Sequence, residues 1–156
     1  DDLSPDLVVL SPGPGTPADF DVSGTLRALL DRGLPTFGVC LGLQGMVEHW
    51  GGTLGLLDYP VHGKASRIHV RGGRLFEGLP KEFTGGPYHS LFAIREKLPS
   101  ALEVTAESED GVVMAIEHAS LPVAAVQFHP ESIMSVEDDL GLRLLRNVVD
   151  RLIASR

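Results

Sequence analysis

Gly38-Val39-Cys40-Leu41-Gly42 holds the chain's single cysteine between an apolar extended run and a helix-like run, Leu41 to Trp50. A Gly-x-Cys-x-Gly spacing fits a sharp strand-to-helix turn, because glycines two residues either side of the nucleophile let neighbouring backbone pass without a side-chain clash. The strand-helix-strand-helix rhythm from Leu7 to Trp50 implies an α/β arrangement with a parallel sheet and helices on its faces. At the start of the following helix the thiol meets unpaired N–H groups and the positive end of the helix dipole, which favour thiolate over thiol. The plainer reading is a buried cysteine acting as a small hydrophobe.

A second run, Gln127-Phe128-His129-Pro130-Glu131-Ser132, follows the apolar strand Pro122 to Phe128. A cysteine nucleophile needs a base within hydrogen-bond reach, and the base needs a third group to fix its tautomer. His129 and Glu131 can fill these roles, since residues two apart in an extended segment project to one side. Pro130 biases His129 away from helix. A His-x-Glu pair is weak alone, but with the elbow it makes Cys40, His129 and Glu131 a candidate triad.

The third element is Ser11-Pro12-Gly13-Pro14-Gly15-Thr16-Pro17, directly after Leu7 to Leu10. A Pro/Gly run is ordinarily a turn. At the carboxyl end of a strand in an open α/β sheet, however, it stands where ligands bind, and its N–H groups can approach a developing oxyanion. The Leu41 N–H is the second donor expected from the elbow.

These motifs, with Tyr88-His89-Ser90-Leu91 and taken in chain order, resemble the class I (triad) glutamine amidotransferases. Within these the chain is most similar to the glutaminase component of anthranilate synthase, whose relatives serve aminodeoxychorismate and phenazine synthesis. The resemblance covers essentially the whole chain and is more specific for the family than for the subfamily. It implies a flavodoxin-like fold, with a mostly parallel central sheet flanked by helices and a small antiparallel addition. It also implies that Cys40 forms a γ-glutamyl thioester, that His129 is base and then acid, and that Glu131 orients it. The oxyanion and substrate-binding positions carried over are Gly13, Pro14, Gly15, Leu41, Gln44, Ser90 and Leu91. The implied partner is a chorismate-using synthase, as subunit or fused domain. No cofactor is expected in this domain, and Mg2+ is expected of the synthase. Leu57 to Lys64 reads like the region that faces that synthase. Gly85-Gly86-Pro87 precedes Tyr88 where many relatives carry an arginine, which concerns the local loop more than the chemistry.

Read from the residues alone, Gln44 lies one helical turn beyond Cys40 and can share its face, or be an exposed helix glutamine. Tyr88-His89-Ser90 is equally a turn or a clamp. His49, His62, His69, His89 and His118 lack metal-ligand spacing. A non-catalytic regulatory module, a cysteine hydrolase of another substrate on the same scaffold, and the glutaminase of an aminodeoxychorismate or phenazine-type synthase are the alternatives. The intact triad argues against the first, and Gln44 with Ser90-Leu91 argues for glutamine over peptides or esters.

With 156 residues and 43% hydrophobic content the chain fits one domain, 1–156. A formal charge of −8 with scattered basic residues argues against nucleic acid or an anionic membrane as partner. One cysteine fits a reducing cytoplasm, and no apolar run is long enough to span a bilayer. Relatives of the family place about two more strands and a helix before the Ser11–Pro17 loop, so a fragment or the tail of a fused polypeptide is expected. The pattern predicts helices over Ser23–Arg32, capped by Ser23, and Leu41–Trp50, with strands at Thr36–Val39, Ser66–Val70, Leu102–Ala106 and Val112–His118. A closing amphipathic helix is predicted over Glu137–Ala154.

Overall fold

The computed structural model describes residues 3–61, 66–85, 89–132 and 139–155. Three strands, β1 (Val8–Leu10), β2 (Thr36–Val39) and β9 (Val123–Val126), lie side by side and parallel. The helix α1 (Val22–Asp31) links β1 to β2, and α2 (Leu41–His49) leaves β2 without an intervening loop. Every residue of β2 and β9 is buried. That is the expected signature of strands covered on both faces, where alternation of polar and apolar residues disappears.

Beyond β9 the sheet continues through antiparallel neighbours: β8 (Val113–His118), β7 (Leu102–Ser108), β4 (Ser66–Val70) and β5 (Glu82–Gly85). The sheet is therefore mixed, with three parallel strands at one side and four antiparallel ones at the other. A separate two-stranded antiparallel sheet pairs β3 (Leu54–Val61) with β6 (His89–Ala93).

Two cores occupy the two faces. On one, Val22, Leu26, Leu43 and Met46 of the first two helices pack on Val123, Ala125 and Ile116. On the other, Phe37, Ala124, Val126 and Phe128 meet Leu140, Leu144, Val148 and Leu152. The alternation of β9 residues between these clusters is the two-residue period of a strand. The closing helix α3 (Leu140–Asn147) runs on into a π-helical turn, Val148–Leu152. Its four buried residues fall at steps of four. An α-helix would drift off such a stripe, and the wider π turn brings it back toward the sheet. The stretch 137–138 lies outside the described residues.

Helix α1 is capped by Asp21, whose carboxylate accepts from the Gly24 N–H at 3.2 Å, and not by Ser23. Ser23 instead pairs its hydroxyl with His49 Nδ1 at 2.9 Å, tying α1 to the end of α2. No helix among the described residues is long and apolar enough to cross a membrane.

Candidate active site

The turn from β2 into α2 has the strained geometry that the glycine spacing predicts. Cys40 sits at φ 53° and ψ −96°, a left-handed conformation that a non-glycine residue adopts at a cost of order 1–3 kcal/mol. The glycines on either side make this possible by packing together. A Cβ on Gly38 would stand 2.8 Å from the carbonyl carbon of Gly42, and one on Gly42 would stand 2.8 Å from the Leu10 carbonyl oxygen. Backbone occupies the space that side chains would need, so the end of β1, the end of β2 and the first turn of α2 are held in contact.

Parallel pairing carries the second component to the same edge. Gly38 pairs with Ala125 and Val39 with Val126, and the Cys40 N–H donates to the Val126 carbonyl at 2.8 Å. The continuations of β2 and β9 therefore leave the sheet together, Cys40 on one and His129 on the other. His129 Nδ1 and Glu131 Oε1 are 3.0 Å apart. Their pairing arises differently from the strand alternation expected of the sequence. The strand ends at Val126, and Pro130–Ser132 forms a short 3-10 turn that swings the carboxylate back to the ring. Pro130 opens that turn, a position where its fixed φ suits helix and its missing N–H costs nothing. With Nδ1 facing a carboxylate, Nε2 is the nitrogen that a triad assigns to proton transfer. Glu131 is 69% exposed at its side chain and His129 22%, so the pair sits at the rim.

The sulfur lies deeper. Cys40 is 7% exposed, and Gln127 Nε2 donates to Sγ at 3.4 Å. Burial pushes the thiol above its ordinary value, while the Leu41 N–H and the Gln127 amide pull it down. The helix start thus acts in the direction the sequence suggests, but desolvation outweighs it. A thiolate at neutral pH requires a base to take the proton.

Ser11 to Thr16 forms the loop after β1. Gly13 lies against Leu41, its Cβ position 3.4 Å from Leu41 Cδ2, so the two expected oxyanion donors come from adjoining pieces of chain. Pro14 follows, and Gly15, at φ 87°, turns the chain into a 3-10 helix, Pro17–Phe20. Thr16 caps that helix: its N–H and hydroxyl both donate to the Asp19 carboxylate, at 2.7 and 2.8 Å, which keeps Asp19 below the usual carboxylate range. An open cavity of about 390 Å³ is bounded by Ser11, Gly13, Pro14, Phe20, Leu41 and neighbouring side chains. Cys40, Gln44 and His129 are not among its walls, so it adjoins the elbow rather than containing it.

Gln44 is 3% exposed, which disposes of the exposed-helix reading. Its Nε2 donates to the Leu91 carbonyl at 3.2 Å, linking α2 to β6. Ser90 is exposed beside Leu91 on the same strand. The structure thus joins Gln44 to the Ser90–Leu91 segment one helical turn from the sulfur. Tyr88 and His62–Lys64 lie outside the described residues. Gln127 is the contact that the sequence reading left without a role; its signal is a polar residue directly after four buried apolar ones. Among the described residues no group of three or more His, Cys, Asp or Glu is placed to hold a metal ion.

Residues 1–148 match the family model for class-I glutamine amidotransferases. The chain is 66% identical over 150 residues to an anthranilate synthase of Azospirillum brasilense, covering 96% of this chain and 20% of that protein. The chain thus spans about a fifth of that relative. It is 41% identical over 154 residues to anthranilate synthase component 2 of Methanocaldococcus jannaschii, covering 95% of this chain and 76% of that one. A glutamine amidotransferase of Thermotoga maritima, solved by crystallography, superposes with a TM-score of 0.77 over 95% of this chain and 78% of its own, at 16% identity, a likeness of fold.

Proposed function

The chain belongs to the class I glutamine amidotransferases, and we propose that it hydrolyses glutamine to glutamate and ammonia and supplies the ammonia to a chorismate-using synthase that makes anthranilate. The observation that carries the chemistry is the edge where β2 and β9 end together, with a strained, buried cysteine on one and a histidine–carboxylate pair at 3.0 Å on the other.

In this reading His129 Nε2 takes the proton from Cys40, and the sulfur electron pair attacks the carboxamide carbon of glutamine. The oxyanion that forms is met by the N–H groups of Gly13 and Leu41. As the tetrahedral species collapses, the C–N bond breaks and His129 returns its proton to the departing nitrogen, releasing ammonia. His129 then takes a proton from water, which opens the thioester to glutamate and restores the thiol. Gln44, Ser90 and Leu91 hold the amino-acid end of the substrate. The acceptor is supported by the names of the two relatives, both anthranilate synthases or a component of one. A reducing cytoplasm is the compartment that a free catalytic thiol favours.

The test is Cys40→Ser, assayed with the synthase. Glutamine-dependent product formation should fall by at least about a thousandfold, because a serine here lacks the sulfur's nucleophilicity, while ammonia-dependent formation should persist. Glutamine turnover retained by the serine variant would overturn the assignment.

A further inference from the structure

Gln127 stands one residue beyond β9, where the preceding four residues are all apolar and buried. Its main chain is fixed by an N–H bond to the Met114 carbonyl at 2.8 Å. Its side chain is wholly buried, at 0% exposure. Of the two ends of the amide, Nε2 donates to Cys40 Sγ at 3.4 Å, and Oε1 has no hydrogen-bond partner among the described residues. Leaving a buried acceptor unpaired costs about 1–3 kcal/mol. A residue needed only to fill volume would avoid that cost by being apolar, as its four predecessors are. The polar atoms of Gln127 therefore have one named object, the sulfur.

We propose that Gln127 is a positioning residue for the Cys40 nucleophile, its buried amide fixing the sulfur and serving it in both protonation states. This rests on the reading of Cys40 as nucleophile. When the sulfur is a thiolate it accepts, and the Nε2–H supplies a donor beside the Leu41 N–H. When it is a thiol it can donate, and the same amide turned end for end offers Oε1, whose shape is nearly that of the NH2 group. The arrangement also limits what the base must do. Burial opposes ionisation of Cys40, and the two donors return part of that loss, so His129 has a smaller gap to close. His129 and Glu131, the titratable pair on the same continuation of β9, are separated from Gln127 by Phe128, which is buried with its ring centroid 5.4 Å from that of Phe83. Anchoring Phe128 in the core holds the amide and the imidazole in register with the sulfur.

Cys40 is the chain's single cysteine, so alkylation by iodoacetamide reports on it alone. The rate would be followed against pH for the full chain, for Gln127→Met, which keeps volume and removes the amide, and for Gln127→Glu, which keeps shape and replaces the donor with a carboxylate. The midpoint of the profile should move up by about one pH unit in the methionine variant, the scale of one hydrogen bond to a charged group, and further in the glutamate variant. Glutamine turnover near neutral pH should then fall about tenfold in kcat with KM unchanged, since one pH unit is a tenfold change in thiolate fraction. A variant with the melting curve of the parent and an unshifted midpoint would overturn the proposal; the glutamate variant decides if the methionine one does not fold. The alkylation profile needs no glutamine. A parent chain without glutaminase activity would sink the proposed function alone, and the midpoints would still judge Gln127.

Discussion

On one side of the seven-stranded sheet, β2 and β9 are buried at every position and carry no charge. On the other, β7 and β8 carry Glu107 and Glu117, both about as buried as the apolar residues beside them and each met by arginine. Parallel strands send all their carboxyl ends to one edge, so the loops after β1, β2 and β9 gather there, bringing Gly13, Cys40 and His129. Antiparallel strands send alternate ends to opposite edges and cannot concentrate loops in that way. In the proposed function the parallel side therefore carries the chemistry on local backbone geometry, while the antiparallel side supplies a frame closed by ion pairs. If this division holds, substitutions on the first side change rate at constant stability, and substitutions on the second do the reverse.

The strongest test is at His129. His129→Asn should lower glutamine turnover by about three orders of magnitude or more, because nucleophile activation and the proton for leaving ammonia are lost together. Glu131→Gln should cost about ten- to a hundredfold. Its carboxylate is 69% exposed, so the pair is screened by water and the ring keeps most of its placement. Neither should move the melting temperature. A larger loss for Glu131→Gln would reverse the assigned roles, and a fall in stability would erase the distinction between the two sides.

Glu117 gives the opposite case. Its carboxylate accepts from Arg74 Nε and from the Leu75 N–H, both at 3.0 Å, and Leu75 is fully buried. Glu117→Ala leaves a buried N–H without an acceptor and the Arg74 guanidinium without its carboxylate, though still bonded to Ser155 and to the His118 and Leu121 carbonyls, which should cost about 3 kcal/mol in urea unfolding. Turnover per folded molecule should be unchanged. A loss below about 1 kcal/mol would mean that the ion pairs are ornament, and a fall in kcat would mean that strain crosses the sheet.

What was legible in the sequence follows the same division. The elbow could be read because Gly38, Cys40 and Gly42 act through spacing of two residues, and the His129–Glu131 pair because its partners are also two apart. Glu107 and Glu117 could not, since their arginines Arg95, Arg71 and Arg74 lie 12, 36 and 43 residues away. The small antiparallel sheet is expected as an addition to the fold, but its strands could not be placed, for a similar reason. Leu54–Val61 contains Gly55, Asp58 and Pro60, all poor strand formers, and it is a strand because residues 89–93 pair with it from afar. Ser23 was mistaken for a cap because Asp21, at φ 45°, occupies a conformation that side-chain chemistry alone does not announce. Gln127 lay in plain view inside a motif, but its burial against the sulfur is a fact of packing.

The smallest effect concerns pH, and it separates the frame's charged groups from one another. His118 Nδ1 accepts from the N–H groups of Ser120 and Leu121, at 3.1 and 3.0 Å, and its ring packs on Trp50 at 4.9 Å. A proton on Nδ1 would displace both N–H donors. Burial first, and then the Arg74 charge, hold His118 below its ordinary value of 6.5; burial and Arg27 do the same to His49. In the unfolded chain both rings take up protons near 6.5, whereas in the fold they do so only at lower pH. The unfolded state therefore binds more protons below that point, so the stability they contribute is complete above about pH 6.5 and is lost as pH falls toward the lowered folded values. Glu107 behaves separately. Its hydrogen bond from Arg71, together with Arg95, keeps it below 4.5, so its contribution persists until the pH drops under that value. Urea midpoints taken at about pH 8 and about pH 5.5 thus isolate the histidines. The parent chain should be less stable at the lower pH, and His118→Asn should flatten that dependence while lowering stability at the higher pH through loss of the ring contact. Equal slopes in the two proteins would place the pH sensitivity elsewhere than in the frame around Trp50 and Arg74.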